Sequence, residues 1–408
     1  MKPTLALIVG KSLRQHAFST ALTAFSIALA GGLLMSVWTI RDEAQKTFAG
    51  VTGGFDAILG ARGSKLQLVL NAIFHLEEST GNLQWNDFLE AQKNPNVERA
   101  VPIAMGDNFR GYRVVGTLPE LFSTEYSAGQ HYSVRTPGRV FDMAAREAVV
   151  GSFVAERLGL KRGDHIKPYH GLNYSEGSAR EQEHEETYLI VGILDPSNTP
   201  ADRVIWIPLE GLQKMSGHDP QTATEISAVL VKLKGGSAGA GFLLDQAYNK
   251  QGDRLTFAWP IARIVTQLFD KIAWFDRVLE LVAYLVAFVA TGSIVASIYN
   301  SMNERRREIA ILRALGARRV TIFSSVVLES ASIALLGMCA AFFVHAAIMS
   351  AVAWIIRAQM GVVLDPLALH AVLVWAPLGM VALGAAAGFI PAWKAYRTDV
   401  AANLVPIS

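Results

Sequence analysis

The sequence predicts an α-helical membrane protein with four transmembrane helices and a large α+β periplasmic domain. Three observations carry that reading. The 408 residues are 51% hydrophobic and only 18% charged, against about 25% charged in an average soluble domain, and the mean hydropathy is +0.29. The charge is unevenly placed, because residues 41–277 hold 25 of the 37 Lys+Arg and 29 of the 35 Asp+Glu. That insertion carries a net −4 and the rest of the chain +6. The basic excess flanks apolar runs, where orientation in a bilayer explains it and nucleic-acid binding does not.

The first span is residues 17–40, 24 residues without a charge, enough for a hydrocarbon core of ~30 Å. Ala28-Leu29-Ala30 has the form of a signal-peptide cleavage site, but the apolar run continues for ten residues beyond it, as a retained helix does. The second span is residues 278–300. The third, 321–353, is charge-free apart from Glu329, and the fourth is 371–392. Lys2, Lys11 and Arg14 precede the first span, six arginines crowd residues 301–320, and Lys394 and Arg397 lie in the tail, 393–408. The short loop 354–370 has only Arg357. This bias puts both termini and the arginine segment in the cytoplasm and residues 41–277 on the far side. Within residues 1–16, Leu5, Ile8, Val9 and Leu13 share one face, so this stretch reads as an interfacial helix on the inner leaflet. The single cysteine, Cys339, excludes a disulfide framework within the chain.

The insertion mixes strand and helix signals. Residues 55–61, 97–105, 109–118, 188–194, 202–209 and 226–234 read as strands, and 85–95 as a helix ended by Pro95. Residues 146–166 read as strand, short helix, Gly turn and strand, and helices around 237–250 and 260–277 return the chain to the bilayer. Gly235 and Gly236 mark the turn into that return. The expected arrangement is a lobe built from both ends of the insertion with a β-rich lobe nested inside it.

Recognisable catalytic motifs are absent. Neither Gly60–Lys65 nor Gly106–Tyr112 meets the G-x4-G-K-[ST] spacing of a phosphate loop, so the chain is not expected to hydrolyse ATP alone. No H-E-x-x-H, G-x-S-x-G or C-x-x-C occurs. The informative stretch is residues 303–319, NERRREIAILRALGARR. Ile309, Leu312 and Leu315 form an apolar stripe among charges, and Gly316 stands where a helix would end on a left-handed residue. A positive-inside linker explains the arginines but not the stripe, which needs a protein or lipid partner.

This motif, E-R-R-x-E-I-A-I-L-R-A-L-G-A after one span and before another carrying Glu329, resembles the FtsX/MacB/LolC-type (type VII) ABC transporter permeases. The closing PAWKAYRTDVAANL of residues 391–404 is similar to their final-span exit. The resemblance implies a permease without a fused ATPase domain. It pairs with a second copy or a related permease and docks on a cytoplasmic ABC ATPase dimer, which binds ATP and Mg²⁺. Closure of that dimer would drive periplasmic work on an unidentified substrate, with porter-like and nested lobes outside. It also implies an inner (cell) membrane location. Carried over by motif, Glu304, Arg305, Arg306, Arg307, Glu308, Ile309, Leu312, Arg313, Leu315 and Gly316 face the ATPase.

Other candidates are polar or small residues in the spans. Glu329 needs a partner or hydration inside a membrane, and Gly384, Gly388, Gly31 and Gly32 allow close helix approach. His345 and His370 read as packing or interface residues. In residues 164–186, His165, His170 and His184 lie with Glu181, Glu183, Glu185 and Glu186, a donor set that suits Zn²⁺. No two of these show a diagnostic spacing, His218 adds little, and a solvated polar loop would look the same. Binding there is expected to be weak, fading as the histidines protonate near pH ~6.5. Two alternatives stay open. One is a non-transporting signalling subunit that switches a periplasmic partner such as a cell-wall hydrolase; the other is a membrane-anchored metalloenzyme using the His/Glu loop.

Overall fold

The computed structural model describes residues 2–172, 183–218, 223–360 and 362–396. Glu181, Arg397 and most of the closing motif lie outside them. The helices, in order, are α1 (Lys2–Gln15), α2 (Ala17–Gly50), α3 (Lys65–Ala72), α4 (Trp85–Lys93), α5 (Ser152–Leu158), α6 (Leu209–Gln213), α7 (Ala238–Gln246), α8 (Ile261–Glu304), α9 (Arg306–Ala314), α10 (Arg319–Met360), α11 (Val372–Ala387) and α12 (Phe389–Tyr396). The strands are β1 (Ala57–Ala61), β2 (Leu83–Gln84), β3 (Val97–Phe109), β4 (Tyr112–Thr117), β5 (Glu125–Ser127), β6 (Gln130–His131), β7 (Glu147–Val150), β8 (His165–Ile166), β9 (Tyr169–His170), β10 (Tyr188–Ile193), β11 (Ile205–Pro208), β12 (Glu225–Ile226), β13 (Ala228–Leu233) and β14 (Leu255–Ala258).

Among the described residues, four helices are long and apolar enough to cross a membrane: Ala17–Gly50, Ile261–Glu304, Arg319–Gln359 and Val372–Lys394. Three of them run well beyond the spans read from the sequence. Hydropathy marks the part of a helix that suits lipid, not its end. Residues 41–49 are rich in good helix formers with no Gly or Pro, so α2 continues to Gly50. Helix α8 starts at Ile261, immediately after Pro260, and runs 44 residues. The chain divides into two compact units, with three boundaries inside these helices, at 44/45, 271/272 and 354/355, and a fourth at 364/365 between helices. Residues 355–364 group with Gln45–Lys271, where Arg357 lies 3.9 Å from Glu156.

The Gln45–Lys271 unit is built on one ten-stranded sheet of order β14-β1-β13-β3-β4-β11-β7-β10-β8, with β9 added to the far end of β3. The pairs β4–β11 and β7–β10 are parallel, and the others antiparallel. Among the described residues this sheet is shared by both ends and the middle of the insertion, with two two-stranded sheets, β2–β12 and β5–β6, besides it. The reason is the length of β3, whose 13 residues pair with β13 along their first half and reach β4 along their second. A core including Leu59, Phe88, Val114, Ile190, Val229 and Phe257 fills one face. Between Met105 and Asp107 the β3–β4 register shifts, leaving Gly106 as an extra residue. Without that bulge Asp107 would share a face with Met105. With it, Asp107 pairs with Val114 and turns towards the core face.

In the other unit, α10 is the central element. Its Ser330, Ala334, Met338, Ala341 and Val344 meet glycines on both sides. A Cβ at Gly31 would lie 2.5 Å from Met338 Sδ, at Gly32 2.6 Å from Val344, and at Gly384 2.4 Å from the Ala334 Cβ. A Cβ at Gly388 would collide with the Ser330 hydroxyl. These small residues let α2 and α11 approach α10 within one chain. Ser36 and His345 meet at 3.1 Å between α2 and α10. His370 lies 2.8 Å from Asp42 and 3.3 Å from Glu43. Gly384→Ala should destabilise the detergent-solubilised protein by about 1–3 kcal/mol through overpacking. Gly379→Ala, where a Cβ meets nothing within 4 Å, should be silent or mildly stabilising in the same thermal unfolding series.

Candidate functional site

The arginine segment folds as helix α9 and ends as its sequence requires. Gly316 takes φ +96°, with its N–H bonded to Arg313 O and the Ala317 N–H to Leu312 O. That is the paired bonding of a glycine-closed helix C-terminus. The stripe of Ile309, Leu312 and Leu315 does not present one face. At ~100° per residue, three positions spaced by three spread over roughly 120° of the helix. Ile309 is buried against Ile322, and Leu312 packs half-buried beside it with Met302. Leu315 is 80% exposed and Ile311 43%. The apolar surface left for a partner is therefore Leu315 and Ile311, and Ile311 had no place in the sequence reading. Arg307, Glu304 and Glu308 are exposed and Arg313 is half-buried, while Arg306 opens the helix.

Just before α9, Arg305 turns inward. Its guanidinium lies 3.5 Å from Glu329 Oε2 on α10 and donates to the Ser12 hydroxyl on α1. Ser12 in turn donates to Glu329 Oε1. Ser12 and Glu329 are both buried. Arg305 also pairs with Glu308 at 3.3 Å, and His16 lies 3.5 Å from Glu304. One carboxylate thus joins the N-terminal helix, the arginine segment and the third span. Ser12 was invisible to sequence reasoning, since it lies beside the apolar face of α1 and carries no motif.

A second constellation sits in the external unit, where ligand atoms of Asp107, His170, His184 and His218 all lie within 4.8 Å of one another. Cross-strand pairing sets His170 opposite Asp107. A backbone bond from the His184 N–H to Pro168 O brings His184 alongside. Met215 is buried in the core, and Gly217, at φ +85°, makes the turn that delivers His218. His184 Nε2 and His218 Nε2 are each 3.2 Å from Asp107 Oδ1, and His170 Nδ1 is 3.6 Å from it. Burial opposes charge on His184, but the Asp107 carboxylate, the Ser216 carbonyl and Glu186 outweigh it and raise its pKa. Burial likewise opposes ionised Asp107, yet the two imidazole hydrogen bonds hold its carboxyl below the usual range. Glu186 accepts from the Ser216 N–H and hydroxyl, fixing the turn whose carbonyl faces His184.

The sequence reading is corrected here. His165 lies exposed on β8, opposite Leu189, outside the cluster, while His218 and Asp107 belong to it. The linear distance from His184 to His218 hid the second, and an isolated Asp on a strand gave no signal for the first. Glu183 contributes a backbone bridge to Tyr169, and Glu185 a backbone N–H to the Ser216 hydroxyl.

Comparison with known families bears on both sites. Residues 20–241, more than half of the chain, match the MacB-like periplasmic core domain. Residues 280–400 match the FtsX-like permease C-terminal region. The chain belongs to the FtsX/MacB-type permease family. The FtsX-like part contains the arginine helix and Glu329, and the MacB-like part contains all four residues of the histidine cluster. Among solved structures it is similar to the periplasmic region of MacB from Actinobacillus actinomycetemcomitans. That match has 11% identity, 54% of this chain, 94% of that one and TM-score 0.34. It is also similar to the extracellular domain of the noncanonic ABC-type transporter YknZ from Gram-positive bacteria, with 15% identity, 50% and 99% coverage and TM-score 0.30. No curated protein matches. An FtsX/MacB-type permease is not itself an enzyme, and the permease-type function follows from membership.

Proposed function

We propose that this chain is the permease subunit of an ABC complex that turns ATP hydrolysis on an ATPase subunit into conformational work by its external domain. The ATPase dimer docks beneath two permease copies at α9, and its closure displaces that helix. Arg305 and Ser12, bonded to the buried Glu329, pass the displacement to α10 and α1. The glycine contacts of α10 with α2 and α11 pass it on through the helical unit. Both termini and α9 face the cytoplasm, and the sheet domain faces the periplasm, from the Lys/Arg bias of the short segments. The substrate is extracted or exported outside the inner membrane. The observation that carries this reading is Leu315, a large apolar side chain 80% exposed at the end of a helix whose Ile309 and Leu312 pack against their own chain and whose Ile311 is 43% exposed beside it. It is the one part of the original stripe that still lacks a cover.

Leu315→Asp should therefore abolish stimulation of the partner ATPase while leaving membrane insertion and thermal stability unchanged. Ile309→Asp should lower stability as well, because Ile309 is buried against Ile322. Undiminished stimulation in Leu315→Asp would remove α9 from the docking role.

Orientation is tested separately. In a Cys339→Ala background, a cysteine placed at the exposed Ala128 should react with an impermeant thiol reagent in intact spheroplasts. Labelling only after lysis would invert the topology.

A further inference from the structure

We propose that Asp107, His170, His184 and His218 bind one Zn²⁺ ion in the external domain. This goes beyond the ATP-coupled reading and does not depend on it. The three imidazoles surround a common point, with ring centroids 5.1, 5.2 and 5.5 Å apart, close to an equilateral triangle. Each directs a nitrogen at the same carboxylate oxygen, at 3.2, 3.2 and 3.6 Å. Ligands bound ~2.0–2.2 Å from a tetrahedral Zn²⁺ lie roughly 3.3–3.6 Å from one another. The three distances to Asp107 Oδ1 are those of one coordination shell, and all four ligand atoms lie within 4.8 Å of one another.

Two further observations point to a cation between these groups. His184 Nδ1 lies 2.6 Å from the Ser216 carbonyl oxygen, which can only accept, so Nδ1 carries the hydrogen. The Nε2 lone pair of the neutral ring then faces Asp107 Oδ1 at 3.2 Å, acceptor against acceptor. That contact is favourable only with a cation between the two atoms or a second proton on the ring. Asp107 is fully buried, and its Oδ2 has no hydrogen-bond partner. A second proton on His184 would satisfy Oδ1 but leave Oδ2 without a partner, whereas Zn²⁺ accepts three neutral imidazoles and a carboxylate together. The backbone-bound Nδ1–H of His184 is the outer-shell bond that fixes a metal-ligating tautomer.

Three imidazole nitrogens and one oxygen, with no thiolate, suit Zn²⁺ better than Cu(I) or the oxygen-seeking Mg²⁺ and Ca²⁺. Four protein ligands complete a tetrahedron and leave no position for a reacting water, so the site holds an ion and does not hydrolyse. Asp107 and His184 are buried, but the His170 side chain is 57% exposed. His170 and His218 line an open cleft of about 360 Å³ together with Asn82, Met105, Gly106 and Glu225, which gives the ion its entry. Bound Zn²⁺ would tie the bulge of β3 and the edge strand β9 to the turn after α6.

The test uses the full-length chain in detergent, stripped of metal and titrated with ZnCl₂ by calorimetry and with Co²⁺ by visible absorption. The expected result is one Zn²⁺ per chain and a tetrahedral Co²⁺ spectrum. His218→Ala and the isosteric Asp107→Asn should each weaken binding at least about tenfold, and His165→Ala should bind as wild type. An octahedral Co²⁺ spectrum, or no saturable binding, would overturn the proposal without reliance on any variant's folding. Equal binding by wild type, His218→Ala and Asp107→Asn would overturn it too, as would loss of binding in His165→Ala.

Discussion

A carboxylate inside a membrane-spanning helix costs several kcal/mol unless a cation answers it. In this chain the answer comes from Arg305, which leaves the exposed charge row of the arginine segment to meet Glu329. Ser12 bonds to both, so the ion pair holds three elements together. The N-terminal helix, the entry to α9 and the third span are therefore positioned by one buried requirement. Removing Arg305 would leave the buried Glu329 with only the Ser12 hydroxyl, which is far worse than replacing both, whereas Arg305 without Glu329 would keep Glu308.

The same logic holds in the external unit, on a different scaffold. There a single extra residue, Gly106, rotates Asp107 to the face where it meets three imidazoles. The sheet supplies His170 by register, and the core supplies His218 by anchoring Met215. In both places a polar group is buried where burial is expensive, and distant segments are drawn to it. The FtsX-like match holds the first of these places and the MacB-like match the second.

Much of the helical architecture was legible because hydropathy and charge act locally along the chain. The apolar runs, the glycine closing α9 and the glycines flanking α10 all announce themselves within a few residues. Strand positions were also readable, since β-branched runs such as 188–194 and 226–234 need no partner to be recognised. Pairing was not readable. That β3 is long enough to join both halves of the insertion depends on contacts over a hundred residues apart. The same limit explains the sites. His170 and His184 fell in one polar stretch and attracted notice together, and so did His165, which the β8–β10 pairing carries elsewhere. His218, Asp107 and Ser12 have no local signature, because their neighbours are set by turns and registers. The stripe in α9 misled for a geometric reason, as positions three apart drift round a helix and one end packed inward.

The claim on which the rest depends is that Arg305 and Glu329 act as one unit in passing motion from the ATPase side into α10. The direct measurement is a double-mutant cycle on ATPase stimulation in the reconstituted complex, using Arg305→Met, Glu329→Met and both together. If the pair acts as a unit, either single change removes the stimulation. The double variant then loses no more, which gives an interaction energy on the order of 0.5–3 kcal/mol. Losses that simply add, or singles that stimulate as wild type does, would contradict it.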